Sequence, residues 1–122
     1  MTDSIYRLVH YEATSEAENV YELFLHKDHP IFKGHFPGHP VLPGVVQIAI
    51  VTELLEKKLD KKLLLVKASN TKFLKMIDPI KMSTIHLTTK VLAITEEEVS
   101  ISSSISSEAG ICLKYKAHYK FA

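Results

Sequence analysis

The chain is short of three things that particular functions require. It has one cysteine, Cys112, so no disulfide can form within it; a reducing compartment is the simpler expectation. It has one arginine, Arg7, among 15 basic residues, against 14 acidic ones, for a formal net charge of +1. A nucleic-acid surface normally draws on a clear basic excess and on the bidentate fork of arginine, so no nucleic-acid partner is expected. It also lacks any apolar run near the roughly 18 residues that a membrane span requires. The opening MTDSIYRLVHYEA has neither the basic start nor the apolar stretch of a signal peptide. The expectation is a soluble, cytoplasmic protein with no membrane partner. Its 122 residues suit one domain, 1–122, with a real core.

Glycine and proline are also few, four and five, but they are unevenly placed. The stretch His29 to Gly44, HPIFKGHFPGHPVLPG, contains Pro30, Pro37, Pro40 and Pro43, and Gly34, Gly38 and Gly44. It also contains His29, His35 and His39. A stiff loop with this much special backbone geometry is where chemistry is expected. It runs into VVQIAIVTELLEKK, the one long helix that the pattern supports. Pro43 suits a first helical turn, where its missing N–H costs nothing. Val45, Ile48, Ala49, Thr52, Leu55 and Leu59 recur at helical spacing, while Val46, Ile50, Val51 and Leu54 fill other faces. The first two turns are therefore expected to be buried on most sides. Lys57 and Lys58 suit the negative end of the helix dipole.

The remainder reads as strand. Runs from Ile5 to Ala13, Asn19 to His26, Leu63 to Met76, Ile80 to Ile94, Val99 to Ser106 and Ile111 to Phe121 are separated by turn signals such as Asp78-Pro79 and Glu108-Ala109-Gly110. Tyr21, Leu23 and Leu25 oppose Glu22 and His26. In the last run Ile111, Leu113, Tyr115, Ala117 and Tyr119 alternate with Lys114, Lys116, His118 and Lys120, and Cys112 falls on the polar side. Six antiparallel strands with one apolar face need a cover, and one apolar helix is available. The fold class predicted is α+β, a curved antiparallel sheet of about six strands wrapped around one long central helix.

FKGHFPGHPVLPGV followed by an apolar helix resembles the signature of the hotdog-fold (3R)-hydroxyacyl-acyl-carrier-protein dehydratases, and the strand–loop–helix–strands order is similar to theirs across most of the chain. Phe73 to Pro79 matches a further family segment loosely. The resemblance implies a hotdog fold and a homodimer or higher even oligomer with sites at the dimer interface. It implies a lyase of fatty-acid biosynthesis or related acyl-chain synthesis, working on an acyl thioester carried by acyl carrier protein, with no metal and no organic cofactor. His35, in GHFP, matches the catalytic histidine, a residue whose ordinary pKa near neutrality suits proton abstraction at C2. Backbone N–H groups around Gly38, Gly44 and Val45 would hold the thioester oxygen.

One position departs from the family. Where the helix carries a catalytic carboxylate, this chain has Ala49, which cannot transfer a proton. Gln47 lies about 200° around the helix from it and is expected to point elsewhere, although its amide can orient a water or a thioester. Glu53, one turn beyond Ala49 and about 6 Å further along, is the one carboxylate near that face; the plain alternative is a solvated helix residue. Alternatives to a dehydratase are a hotdog acyl thioesterase, or a non-catalytic acyl- or acyl-carrier-binding subunit that borrows a carboxylate from a complete dehydratase homologue. His26, His29, His35 and His39 invite a metal site, but Pro37 and Gly38 between the last two remove helical spacing, so none is expected. The lysine face of the last strand is either solvated or a dock for acidic acyl carrier protein.

Overall fold

The computed structural model describes residues 5–32 and 40–122. The elements run β1 (Tyr6–Ala13), β2 (Glu18–Leu25), a 3-10 turn (Pro30–Phe32), α1 (Gly44–Leu59), β3 (Leu63–Phe73), β4 (Thr84–Ile94), β5 (Glu98–Ser107) and β6 (Gly110–Phe121). The strands make one antiparallel sheet in the order β1-β2-β4-β5-β6-β3. Two tight turns make β4, β5 and β6 consecutive neighbours, Gly110 supplying the positive φ of 116° at the second turn. β3 closes against the far side of β6, and the β1–β2 hairpin against β4.

Period-2 patterning sends one side of each strand inward. Tyr21, Leu23, Leu25, Ile85, Leu87, Val99, Ile101, Ile105, Leu113, Tyr115 and Tyr119 are buried there with the helix. The helix ends where Asp60 turns left-handed (φ 54°), its N–H donating to the Glu56 carbonyl. The Glu56 carboxylate then accepts from the Leu63 N–H at 2.9 Å, which ties the helix end to the start of β3.

Three sequence expectations need correction. The helix is not buried on most sides in its first two turns. Its core face is Gln47, Ile50, Val51, Leu54 and Leu55, whereas Val45 is 78% exposed and Ile48, Ala49 and Thr52 are only half-buried. A single sheet covers one side of a helix, so the second apolar stripe is left over. Cys112 is buried, and Ile111 is turned outward instead. Ile105 pairs with Leu113 but Ser106 pairs with Ile111, so the register shift reverses the alternation there. Finally, β3 stops at Phe73 and β4 starts only at Thr84. Between them the Asp78 carboxylate accepts from the N–H of Ile80 and its carbonyl from that of Met82, an Asx-type turn that uses up ladder donors.

Helix and sheet are also joined through hydroxyls. Thr52 Oγ1 donates to the Ile48 carbonyl, so it accepts from Tyr119 Oη at 2.8 Å, which in turn accepts from Tyr115 Oη at 2.8 Å. Burial pushes Tyr115 and Tyr119 up, and pushes Tyr21 up to about 12, with Tyr11 and Tyr6 adding to the last. In the unfolded chain each titrates near 10. Folded pKa values lie above unfolded ones, so stability is intact below about pH 10 and falls as pH rises toward 12, because the unfolded chain sheds protons that the folded chain keeps. Each tyrosine contributes a slope of about 1.4 kcal/mol per pH unit. Urea unfolding between pH 9 and 12 measures this; a flat profile contradicts the burial of these rings.

Candidate functional site

The loop reaches the helix under backbone control. The Leu42 N–H donates to the Ile77 carbonyl at 2.8 Å, fastening the helix approach to the segment after β3. Pro43 is the N-cap, without a side-chain cap. The N–H groups of Val46 and Gln47 donate to its carbonyl at 3.1 and 3.0 Å. Gly44 and Val45 precede those bonds, at the positions whose donors a helix leaves without an intrahelical partner.

Beside this helix start is a pocket of about 690 Å³. Pro43, Gly44, Val45, Gln47 and Ile48 line it on the helix side; Phe73 and Lys75 face them from the end of β3. The ring of Phe73 lies against Gly44 so closely that a Cβ there would be 2.6 Å from Phe73 Cζ. Glycine is therefore what lets the ring approach the first helical turn. Lys75 Nζ donates to the Ala109 carbonyl, which ties the rim to the β5–β6 turn. Gly44→Ala is expected to push the half-exposed Phe73 ring outward at little cost in stability, because the clashing atom is the far end of a side chain, and to weaken binding in the pocket. A thermal melt with a ligand titration checks this. A loss of several kcal/mol would mean instead that the ring cannot move.

The predicted site residues do not all meet. Gly44, Val45 and Gln47 line the pocket. Gln47, expected to point away from the site, is buried against it, whereas Ala49 and Glu53 are half-buried and are not among the lining residues. A rotation of about 200° around the helix separates 47 from 49, so one lines this pocket and the other does not. His35, Gly38 and His39 lie outside the described residues. Of the histidines suspected as ligands, His29 Nδ1 accepts from the Ile31 N–H at 3.0 Å and the His26 ring lies edge-on to Phe24. Among the described residues no group of three metal-binding side chains comes together, and no helix is long and apolar enough to cross a membrane. Phe73 and Lys75 had no chemical role in the sequence reading; the loose family match over Phe73 to Pro79 was the one signal for them.

A six-stranded antiparallel sheet curled over one helix, with a pocket at the helix start, is a hotdog fold. Residues 11–111 match the family model described as ApeI dehydratase, and the chain belongs to this ApeI-like dehydratase family. It is a dehydratase-like hotdog protein. It is 26% identical over 113 residues to the 3-hydroxyacyl-(acyl-carrier-protein) dehydratase FabZ of Caldicellulosiruptor bescii, covering 88% of this chain and 74% of that protein. It is 36% identical over 67 residues to FabZ of Rickettsia bellii, covering 48% of this chain. The chain spans about half the length of that relative, 46%. Among solved structures it is similar to the dehydratase heterocomplex ApeI:P from Xenorhabdus doucetiae, with a TM-score of 0.79 and 22% identity over 94% of this chain and 97% of that one.

Proposed function

We propose that this chain binds 3-hydroxyacyl thioesters carried on acyl carrier protein and takes part in their dehydration to 2-enoyl thioesters. The observation that carries the proposal is the largely apolar pocket that Gly44 and Val45 line at the helix start, shortly after the GHFPG string in the sequence. In this reading His35 takes a proton from C2, and the electron pair moves toward the thioester oxygen. The helix-start N–H groups stabilise that oxygen where charge develops. The C3–O bond then breaks and the hydroxyl leaves as water after gaining a proton. Ala49 cannot supply that proton, so it comes from Glu53 or from a carboxylate on a second subunit.

A specific observation favours the second subunit. The free edge strand β3 exposes Leu64, Leu65 and Val66, the kind of apolar edge that pairs with another chain. On the helix, Val45 is likewise exposed, with Ile48 and Ala49 beside it only half-buried. Pairing with a copy of itself gives a homodimer; pairing with a complete dehydratase homologue supplies the missing carboxylate. The ApeI:P neighbour is itself a complex of two different chains. We place this chemistry in the cytoplasm, in fatty-acid or related acyl-chain synthesis.

The test is to incubate the purified chain with 3-hydroxyacyl-ACP, alone and with a complete dehydratase homologue. Enoyl product from the chain alone, enhanced by Ala49→Glu, supports the primary reading. Product that requires the homologue supports the borrowed carboxylate. Free acid instead of enoyl product identifies a thioesterase, and unchanged thioester in every arm ends the catalytic proposal.

A further inference from the structure

The face of the sheet turned away from the helix carries a basic trough. On β5 the outward side chains of Ser102 and Ser104 are short and half-buried. The strands on either side set longer ones beside them. Lys90 of β4 pairs with Ser102, and Ser102 pairs with Lys116 of β6. Thr88, Ser104 and Lys114 make the next row, and Lys72 of β3 extends it. Low serines between tall lysines leave a hollow of about 420 Å³. Lys90 and Lys116 stand two strand spacings apart, roughly 10 Å, and Lys114 and Lys116 about 7 Å.

These lysines lack counter-charges. All four are exposed. No hydrogen bond or ion pair joins the side chain of Lys72, Lys90, Lys114 or Lys116 to another described residue. The carboxylates on this face are engaged elsewhere. Glu22 lies 3.3 Å from His86 Nε2, and Glu98 lies 3.1 Å from His118 Nε2. Glu18, the one carboxylate among the described residues lining the trough, accepts from Thr14 Oγ1 at 2.7 Å. Like charges grouped this closely repel one another, and an anionic surface laid over them relieves that.

We infer that this trough docks the carboxylate-rich surface of acyl carrier protein. The inference rests on the carrier-borne reading of the substrate proposed above. Two observations favour a protein surface over a small anion. The lysines are spread over two rows and three strands, a spacing that a set of carboxylates meets and a single phosphate does not. The basic face also borders the helix-start pocket: Lys114 pairs with Lys72, which directly precedes Phe73 on the pocket wall. A carrier seated there brings its arm to the strand end that lines the pocket.

The test titrates the full chain with two forms of acyl carrier protein, one without its arm and one carrying a saturated acyl chain. Salt is held at about 0.1 M, where charges more than roughly 10 Å away are screened. Lys90→Gln, Lys114→Gln and Lys116→Gln together remove three charges and keep the stems. They are expected to weaken both carrier forms roughly tenfold. The same replacements at the exposed Lys27, Lys61 and Lys62 are expected to change affinity by less than about threefold. Free acyl-pantetheine, which needs only the pocket, should bind both variants as it binds the wild type. Unchanged carrier affinity in the trough variant overturns the inference. So does an equal loss in the control variant, which reports net charge and not this face. Lysine acetylation read by mass spectrometry covers a variant that fails to fold: bound carrier should protect Lys90, Lys114 and Lys116 of the wild type and leave Lys27 reactive. Trough lysines that stay reactive in the complex sink the docking face. Protection by pyrophosphate but not by carrier makes this a small-anion site, and the assignment is wrong. Binding of free acyl-pantetheine without binding of the carrier sinks this inference alone, whereas no binding of either sinks the acyl-thioester reading with it.

Discussion

With His35 replaced by alanine, conversion of 3-hydroxyacyl-ACP to its 2-enoyl product is expected to fall by about 10²- to 10⁴-fold, the usual worth of a positioned general base. The C2 proton of a thioester is weakly acidic, and its removal needs both a base and stabilisation of the developing oxygen charge. Alanine removes the base and leaves the N–H groups of Gly44 and Val45 in place. Binding of a saturated acyl-pantetheine should therefore change little, and the loss should appear in kcat more than in KM. Full activity in the variant would make His35 a structural loop residue and would remove the base from the proposed chemistry. A loss of binding together with activity would show that the histidine shapes the pocket and does not act on the proton.

Ile50→Ala is expected to cost about 2–5 kcal/mol of stability, the range for truncating a large aliphatic side chain in a core that collapses only partly. Ile50 is fully buried on the helix face that also carries Gln47, Val51 and Leu54. Val45→Ala, on the opposite stripe, should change the stability of the isolated chain by no more than about 0.5 kcal/mol, as surface replacements usually do. Chemical denaturation of both variants at several protein concentrations measures the contrast. If Val45→Ala costs as much as Ile50→Ala, and the cost grows with protein concentration, a second subunit covers that stripe. If Ile50→Ala is nearly neutral, the helix does not pack as described.

Much of the architecture was legible in local pattern. Tyr21, Leu23 and Leu25 alternate with polar neighbours and are buried, and Val99, Ile101 and Ile105 do the same on β5. Alternation reports the face of a strand directly because the side-chain period is two. It failed at Cys112 and Ile111, where a register shift between two paired strands changes the phase; that shift belongs to the pair and is not written in either strand. The helix was legible as a helix but not as a surface. Its residues are apolar almost all round, so periodicity alone could not say which stripe the sheet would take.

The site divides along the same line. The glycine- and proline-rich string, His35 within it and the alanine at position 49 are matters of residue identity, and identity alone pointed to the family and set an alanine where the resemblance implies a carboxylate. The tertiary structure decided which side chains face one another. It brought Phe73 from the end of β3 onto Gly44, an approach set by the absence of a Cβ. It turned Gln47 toward the pocket and left Ala49 and Glu53 off its wall, because the sheet buries one face of the helix and a rotation of about 200° separates residues 47 and 49. The family was readable from the chain; which face of the helix lines the pocket follows from the packing of one helix against one sheet.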